Sequence, residues 1–305
     1  MRVLVSGGTG FIGQALLRGL TAAGHEVTVL TRRDGVAGYP SVHWTAAAGA
    51  PDAVLVRAVA QAGAIINLSG ASIAGKRWTP AYRMTIRQSR IEGTRQLTEA
   101  MRAAGEGPSI LLSGSAVGYY GMASGDMVLA EDAPAGQDFL ADVCSSWEDE
   151  AMAATKFGVR VVTLRLGIVL DASGGVLERM ALPFRFFVGG PVGSGQQWLS
   201  WIHRLDAVRL IIMLLESDSA HGAVNVTAPG PVRNRDFART LGASMGRPSA
   251  LPVPAAVLRL AFGPMADALL LGGQRVLPQR AQELGFSFHY PELALALAAI
   301  RGRAV

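Results

Sequence analysis

The sequence is short of cysteine, of charge and of long apolar runs, and each shortage removes a class of protein. A single cysteine, Cys144, excludes an internal disulfide framework. The N-terminus reads as a strand rather than a signal peptide, so the expected setting is reducing and cytoplasmic. The longest apolar runs, such as Leu210 to Leu215, fall well short of the roughly 18 residues a membrane span needs. No membrane crossing is expected. Only 17% of the 305 residues are charged and 50% are hydrophobic, which argues against long disordered arms. The formal charge is +5, yet the arginines are scattered, and neither an aromatic-plus-basic RNA motif nor zinc-finger spacing occurs. Nucleic acid is therefore not an expected partner. The five histidines, His25, His43, His203, His221 and His289, show no metal-binding spacing, and no metal is expected.

What is present is an alternation of short β-rich runs with helical stretches. The runs are Val3 to Ser6, Glu26 to Thr31, Val42 to Thr45, Ala64 to Leu68, Ile110 to Ser113 and Arg160 to Leu166. Such alternation implies right-handed crossovers and a parallel sheet covered on both faces, an α/β doubly wound fold. A long helix is expected over Pro80 to Ala104, with proline in its first turn and Gly105 beyond its end. Leu199 to His203 reads as a strand, Asp206 as the N-cap of a helix to about Leu215, and Val224 to Val226 as another strand. From Arg233 onward, helical stretches are broken by prolines. The expected division is a Rossmann domain, 1–166 plus about 199–230, and a smaller, mainly helical substrate or cap domain, 167–198 plus 231–305.

The stretch with most chemical content is GGTGFIG, residues 7 to 13, directly after the first strand and opening a helix. A strand, a glycine loop and a helix N-terminus make an anion site, because amide N–H groups and the positive helix end converge there. Gly7 permits the turn, Gly10 lets a pyrophosphate approach the backbone, and Gly13 lets the helix pack closely; Phe11 and Ile12 complete the loop. A tight structural turn without a ligand is the alternative.

At the end of the second strand, a dinucleotide fold that binds NAD carries an acidic side chain for the ribose 2′-OH. This chain has Thr31, Arg32 and Arg33 there. Arginine can pair with a 2′-phosphate and stack on adenine, so NADP(H) is expected in preference to NAD(H). The alternative is that both arginines are solvated loop charges.

With GGTGFIG, Asn67-Leu-Ser-Gly-Ala and Ser113-Gly-Ser-Ala-Val-Gly-Tyr-Tyr-Gly on the page, the chain resembles the extended short-chain dehydrogenase/reductase superfamily. More narrowly, GASIAGKRW, SRIEGT, SSWEDEA, LRLGIVL, GSGQQWLSWIHRLD and GQRVLPQ resemble its atypical "epimerase family" branch, which includes the human short-chain reductase family 39U. The resemblance implies a Rossmann domain holding NADP(H), with Thr31 and Arg32 facing the adenosine phosphate. It further implies that Asn67, Leu68, Ser69, Gly70 and Ser113 line the cofactor, that Arg90 reaches its phosphates, and that Val169 lies near the nicotinamide. For Arg90, a charge on the helix surface is the alternative.

Oxidoreductases of this superfamily use a serine and a Tyr-x-x-x-Lys pair, in which lysine lowers the phenol pKa. Ser115 matches the serine. At the positions of the pair stand Cys144 and Glu148, and a carboxylate cannot supply the missing positive charge. Tyr119 or Tyr120 could substitute as the acid, or could simply pack in a loop. Cys144 reads as a small buried apolar residue, and His203 as a hydrogen-bonding structural one. Trp198, Trp201 and the Phe184 to Phe187 cluster suggest an apolar or aromatic substrate pocket, or hydrophobic core. Two functions follow. One is an NADP(H)-dependent oxidoreductase or epimerase-like enzyme acting on a small molecule, with Ser115, Tyr119 and Glu148 as catalytic candidates. The other is an NADP(H)-binding protein with little or no turnover. An oligomer is compatible with either.

Overall fold

Runs such as Val3-Leu-Val-Ser6 and Ala64-Ile-Ile-Asn67 are buried on both faces, as strands in the middle of a covered parallel sheet must be. The computed structural model describes residues 1–122 and 124–302. Its elements begin with β1 (Arg2–Ser6), α1 (Phe11–Ala22), β2 (Glu26–Thr31), β3 (Ser41–His43), α2 (Ala53–Ala60), β4 (Ala64–Asn67), α3 (Pro80–Ala104) and β5 (Ile110–Ala116). There follow β6 (Val128–Leu129), α4 (Phe139–Met152), β7 (Arg160–Leu166), β8 (Ile168–Asp171), β9 (Gly174–Gly175) and α5 (Leu177–Arg185). Next are β10 (Trp198–Leu199), β11 (Trp201–His203), α6 (Arg204–Glu216), β12 (Gly222–Val226) and β13 (Val232–Arg233). The last are α7 (Asn234–Met245), α8 (Ala255–Phe262), α9 (Pro264–Ala266), β14 (Arg275–Val276), α10 (Gln279–Glu283) and α11 (Leu293–Ile300).

Seven strands form one sheet in the order β12-β7-β5-β4-β1-β2-β3. The reversal between β1 and β4 is the switch point at which doubly wound sheets bind ligands, beyond the carboxyl ends of the strands. The expected helix over Pro80 to Ala104 forms with those bounds: Thr79 caps it by accepting from Tyr82 N–H, and Gly105 ends it at φ +69°. Strand β5 runs three residues further than expected and carries Ser115 within the sheet rather than after it.

By internal contacts the chain divides into two units. The first comprises Met1–Ala116, Val143–Arg165 and Val208–Val224; the second comprises Val117–Asp142, Leu166–Ala207 and the chain from Asn225 onward. The sequence expectation drew these boundaries differently, grouping 199–207 with the sheet and 117–142 with the Rossmann domain. In the structure β10 pairs with β13, and β11 pairs with β8, within the second unit. The first unit's core gathers Leu4, Ile65, Leu97, Met101 and Leu111. The second unit's core is built around Trp201, Phe237, Leu241 and Leu297, and its C-terminal part is helical from α7 onward apart from β14.

One capping expectation is corrected. Asp206 lies inside the first turn of α6, fully buried, and its carboxylate accepts from the His289 and Tyr290 backbone N–H groups at 3.0 and 2.8 Å. The helix N–H of Leu205 is instead taken by His203 Nδ1 at 3.1 Å. A carboxylate can fasten a distant loop, so Asp206 is spent there and the imidazole serves the helix.

Candidate functional site

Of the three glycines spaced at 7, 10 and 13, the fold by itself explains two. Gly7 turns at φ +74°, and a Cβ there would lie 2.6 Å from the Leu68 carbonyl. At Gly13 a Cβ would lie 2.2 Å from the Gly7 oxygen, so only glycine lets α1 close on the loop. Gly10 differs: its φ of −78° and ψ of 176° suit any residue, and a Cβ would meet only the Gly7 oxygen, at 3.2 Å. That contact is tight, yet it is the least demanding of the three, and the position is exposed. What glycine leaves clear is the approach to the N-terminus of α1, a twelve-residue helix with no side-chain cap. Phe11 and Ile12 form its first turn, half-buried. These residues fit a dinucleotide diphosphate, whose oxygens would take the space a Cβ would fill.

Beyond β2, Thr31 is buried and its hydroxyl accepts from the Arg33 N–H at 3.1 Å, which fixes the turn. Arg32 and Arg33 are exposed, and neither side chain has an acid partner among the described residues. Beyond β4, Asn67 is fully buried. Its Oδ1 accepts from Ser6 Oγ at 2.5 Å and Ser69 Oγ at 2.7 Å, while its Nδ2 donates to Thr94 Oγ1 at 2.8 Å. Trp147 Nε1 donates to the same threonine oxygen at 2.8 Å. The Asn67 side chain is thus spent on holding Ser69 and the loop against which Gly7 packs.

Arg90 is half-buried rather than a free charge on the helix surface. Its Nη1 donates to the Ala71 and Ile86 carbonyls, each at 3.0 Å, and its guanidinium lies 5.1 Å from the Trp147 ring. Burial pushes its pKa down. Gly70 makes this possible, because a Cβ there would come 3.0 Å from the Arg90 Cζ. Ser113, opposite Asn67 in the β4–β5 register, is fully buried with its hydroxyl unpaired.

Next on β5, the Ser115 hydroxyl donates to Glu148 Oε1 at 2.6 Å. Glu148 is gripped in turn by Arg165, whose Nε reaches Oε1 and whose Nη2 reaches Oε2, both at 2.9 Å. This bidentate pair is buried, with Ser115 only 2% exposed. Cys144, one helical turn before Glu148, is also buried. Desolvation and then the Glu148 charge push its thiol up to about 11, the opposite of a reactive thiolate.

In the second unit, Tyr120 donates to Asn225 Oδ1 at 2.7 Å and packs with Leu129 and Val276, with Tyr119 edge-on at 5.3 Å between ring centres. Both tyrosines share one aromatic cluster. Val169 is buried in β8 beside Ile202. Trp201 is core, its indole bonded to the Gly230 carbonyl at 2.8 Å, and Phe184 packs with it; Phe186 and Phe187 are exposed. Among the described residues no group of three or more acidic, histidine or cysteine side chains could hold a metal ion, and no helix is long and apolar enough to cross a membrane.

A family model described as the NAD dependent epimerase/dehydratase family matches residues 3–227. The chain belongs to that family. A second model, a domain of unknown function (DUF1731), matches residues 253–300 of this epimerase-family chain. The chain is similar to the chloroplastic epimerase family protein SDR39U1 homolog of Arabidopsis thaliana, 42% identical over 98% of this chain and 86% of that protein. It is similar to the human epimerase family protein SDR39U1, 38% identical over 98% and 99% of the two chains. Among solved structures, the human protein's isoform 2 with NADPH superposes with a TM-score of 0.87, 35% identity and full coverage of both chains. A nucleoside-diphosphate sugar epimerase from Corynebacterium glutamicum superposes with a TM-score of 0.79 and 30% identity over 98% of this chain and 57% of that one.

Within this family member, the residue that sequence reasoning missed is Arg165. It restores beside Glu148 the positive charge that the missing lysine would have supplied, although it pairs with the carboxylate rather than with a phenol. Its signal was present: a lone arginine inside the apolar strand run Val161-Val-Thr-Leu-Arg-Leu166 must find a buried partner. Thr94 and Trp147 lie inside SRIEGT and SSWEDEA but were not singled out: Thr94 accepts from Asn67, and Trp147 bonds Thr94 and lies against Arg90.

Proposed function

We propose that this chain is an NADP(H)-binding oxidoreductase or epimerase-like enzyme of the extended short-chain type, acting on a small molecule. The observation that carries the cofactor reading is Gly10, a glycine that the fold needs less than Gly7 or Gly13, at the uncapped N-terminus of α1. Gly7, Gly10, Phe11, Ile12 and Gly13 would hold the diphosphate; Thr31, Arg32 and Arg33 the adenosine end; Leu68, Ser69, Gly70, Arg90, Ser113 and Val169 the remainder. Arg32 and Arg33, exposed and without acid partners, support a preference for the 2′-phosphorylated form. The bound NADPH of a 35% identical structure agrees with this reading. When bound, the cofactor supplies a hydride.

The chain's own residues handle the proton. Ser115 gives its hydrogen to Glu148, which leaves its oxygen lone pairs as acceptors for a substrate hydroxyl. When a substrate alcohol is oxidised, its hydroxyl proton would pass to Ser115 Oγ as the serine proton moves to Glu148 Oε1; when a carbonyl is reduced, the same two protons would move back and one would end on the substrate oxygen. Arg165 holds the carboxylate in place for this transfer. Tyr119 takes no part in the transfer as we read it. Most of the proposed cofactor residues belong to the first unit, and the compartment is one that we take to be the reducing cytoplasm.

A second reading is favoured by burial. With Ser115 2% exposed and Glu148 8% exposed, the triad also suits a protein that binds NADP(H) with little or no turnover. Single-turnover absorbance with protein-bound NADPH and a panel of aldehydes and ketones separates the two. The enzyme reading expects oxidation with at least one compound, slowed about 100-fold in Ser115→Ala without loss of NADPH binding. No oxidation of bound NADPH with any compound supports the second reading; oxidation that does not depend on Ser115 removes Ser115 from the chemistry.

A further inference from the structure

Of the aromatic cluster Phe184 to Phe187, only Phe184 enters the core; Phe186, 70% exposed, and Phe187 stand out from the end of α5 together with Val188. Phe187 holds its φ at +62°, alone among the described residues other than glycine, in a conformation that a bulky side chain disfavours. Burial within the chain does not offset this strain, because the ring is exposed and lies only against the Arg247 guanidinium, 4.2 Å from its centre. Strain of this kind persists where the group it presents has a use elsewhere.

The protruding turn is fastened to a second exposed segment of the same unit. The Leu251 N–H donates to the Gly189 carbonyl at 3.2 Å, and the Val253 N–H to the Pro191 carbonyl at 2.9 Å. Gly190 permits this approach, since a Cβ there would lie 2.1 Å from the Leu251 oxygen. Leu251 is thereby set beside the phenylalanines, exposed, and α8 follows it with Val257 and Leu260 exposed, Leu260 by 83%. Leu258 is the one residue that α8 buries, so most of this apolar helix packs on nothing.

Segments 182–190 and 246–262 contain no lysine, aspartate or glutamate, and their only charges are Arg185, Arg247 and Arg259. Protein–protein interfaces have this composition: they gather aromatic side chains and arginine and shed the other charged types. Arg259 is already paired with Asp267 at 2.9 Å. The two remaining arginines fall short of the roughly four to eight basic residues with which chains hold to anionic lipid. The exposed apolar side chains of the two segments present an area on the order of 800 Å², the share of one partner in a standard interface. The largest apolar patch of a typical monomer is about 300–600 Å².

We infer that this face, the turn after α5 together with Leu251 and α8, is where a second copy of the chain docks, forming a two-fold dimer. A two-fold axis lets one patch of this size cover its own copy, so both apolar faces leave water at once. The inference concerns the second unit alone and does not depend on the cofactor reading.

Sedimentation velocity of the full chain over a range of concentrations tests it, with thermal melts to verify folding. Wild type should sediment with the mass of two chains at about 10 μM. Phe186→Glu and Leu260→Glu, each at an exposed position, should fold and weaken the dimer at least about tenfold. Met84→Glu, at an exposed apolar position of α3 in the first unit, should leave the dimer intact. The inference is overturned if wild type remains a single chain up to about 100 μM. It is equally overturned if either glutamate variant dimerises as wild type does, or if Met84→Glu separates the pair as strongly as they do. Single-chain wild type that co-sediments with phosphatidylserine vesicles would assign the face to lipid and overturn it too. Should one of the two second-unit variants fail to fold, the other decides.

Discussion

Glu148 and Arg165 place a full ion pair beneath Ser115, and the cost of separating them sets the behaviour of the site. Removing one partner of a buried pair leaves the other charged and unsolvated, a loss of about 3–5 kcal/mol. Glu148→Gln should therefore lower stability by about that much in urea unfolding, while Ser115→Ala, which leaves the pair intact, should cost about 1 kcal/mol. Equal losses in the two variants would mean that the pair is not what holds this region. Cys144 gives a pH test. Burial pushes its thiol from the ordinary 9.0 up to about 11, so the folded state favours the neutral form. The stabilisation is complete below about pH 9 and is lost as pH climbs through 11, about 3 kcal/mol in all. Cys144→Ala should lose less stability than wild type between pH 9 and 11; identical slopes would contradict the burial argument. Ser115, Cys144 and Glu148 could be placed from the sequence because each occupies a motif position. Arg165 could not, because its partner lies 17 residues away on another element, and no local pattern encodes which buried acid a strand arginine will meet.

At the scale of elements, the glycine loop separates what the fold requires from what a ligand requires. Gly13→Ala drives a Cβ into the Gly7 oxygen and should cost about 3 kcal/mol in stability. Gly10→Ala should change stability by no more than about 1 kcal/mol, yet weaken NADPH binding about tenfold. If both variants are equally unstable, Gly10 is a structural glycine after all and the argument from spare space is lost. The entry to α6 carries a second test. His203 accepts from Leu205 N–H only while Nδ1 is unprotonated, and burial lowers its pKa below 6.5, against the opposing pull of Asp206 and Asp171 and with the help of Arg204 and His289. A lowered pKa in the fold means that this stabilisation is present above pH 6.5 and lost as pH falls. Wild type should therefore lose more stability than His203→Asn between pH 7 and 5. Helix α3 was readable from the proline in its first turn and the glycine beyond its end; the Thr79 cap came only with the structure. The cap of α6 was not, since Asp206 has the composition of an N-cap but is drawn away by the backbone of residues 289 and 290.

For the whole molecule, the parallel doubly wound sheet follows from the alternation of strand and helix, which is a rule of connection rather than of side chains. The seventh strand, β12, was also recognisable. The segment at 199–203 was not assigned to the right sheet, because short apolar runs look alike whether they join the large sheet or the small ones of β10 and β11. Fold and family are thus established at this scale. The central claim is that the loop of residues 7 to 13 and the arginines after β2 select a 2′-phosphorylated dinucleotide. Calorimetric titration of the full chain with NADPH and with NADH tests it most directly. The account predicts NADPH binding at least about tenfold tighter than NADH in wild type, and loss of that preference in Arg32→Glu. Equal binding of both nucleotides by wild type, or a preference for NADPH that survives Arg32→Glu, would contradict it.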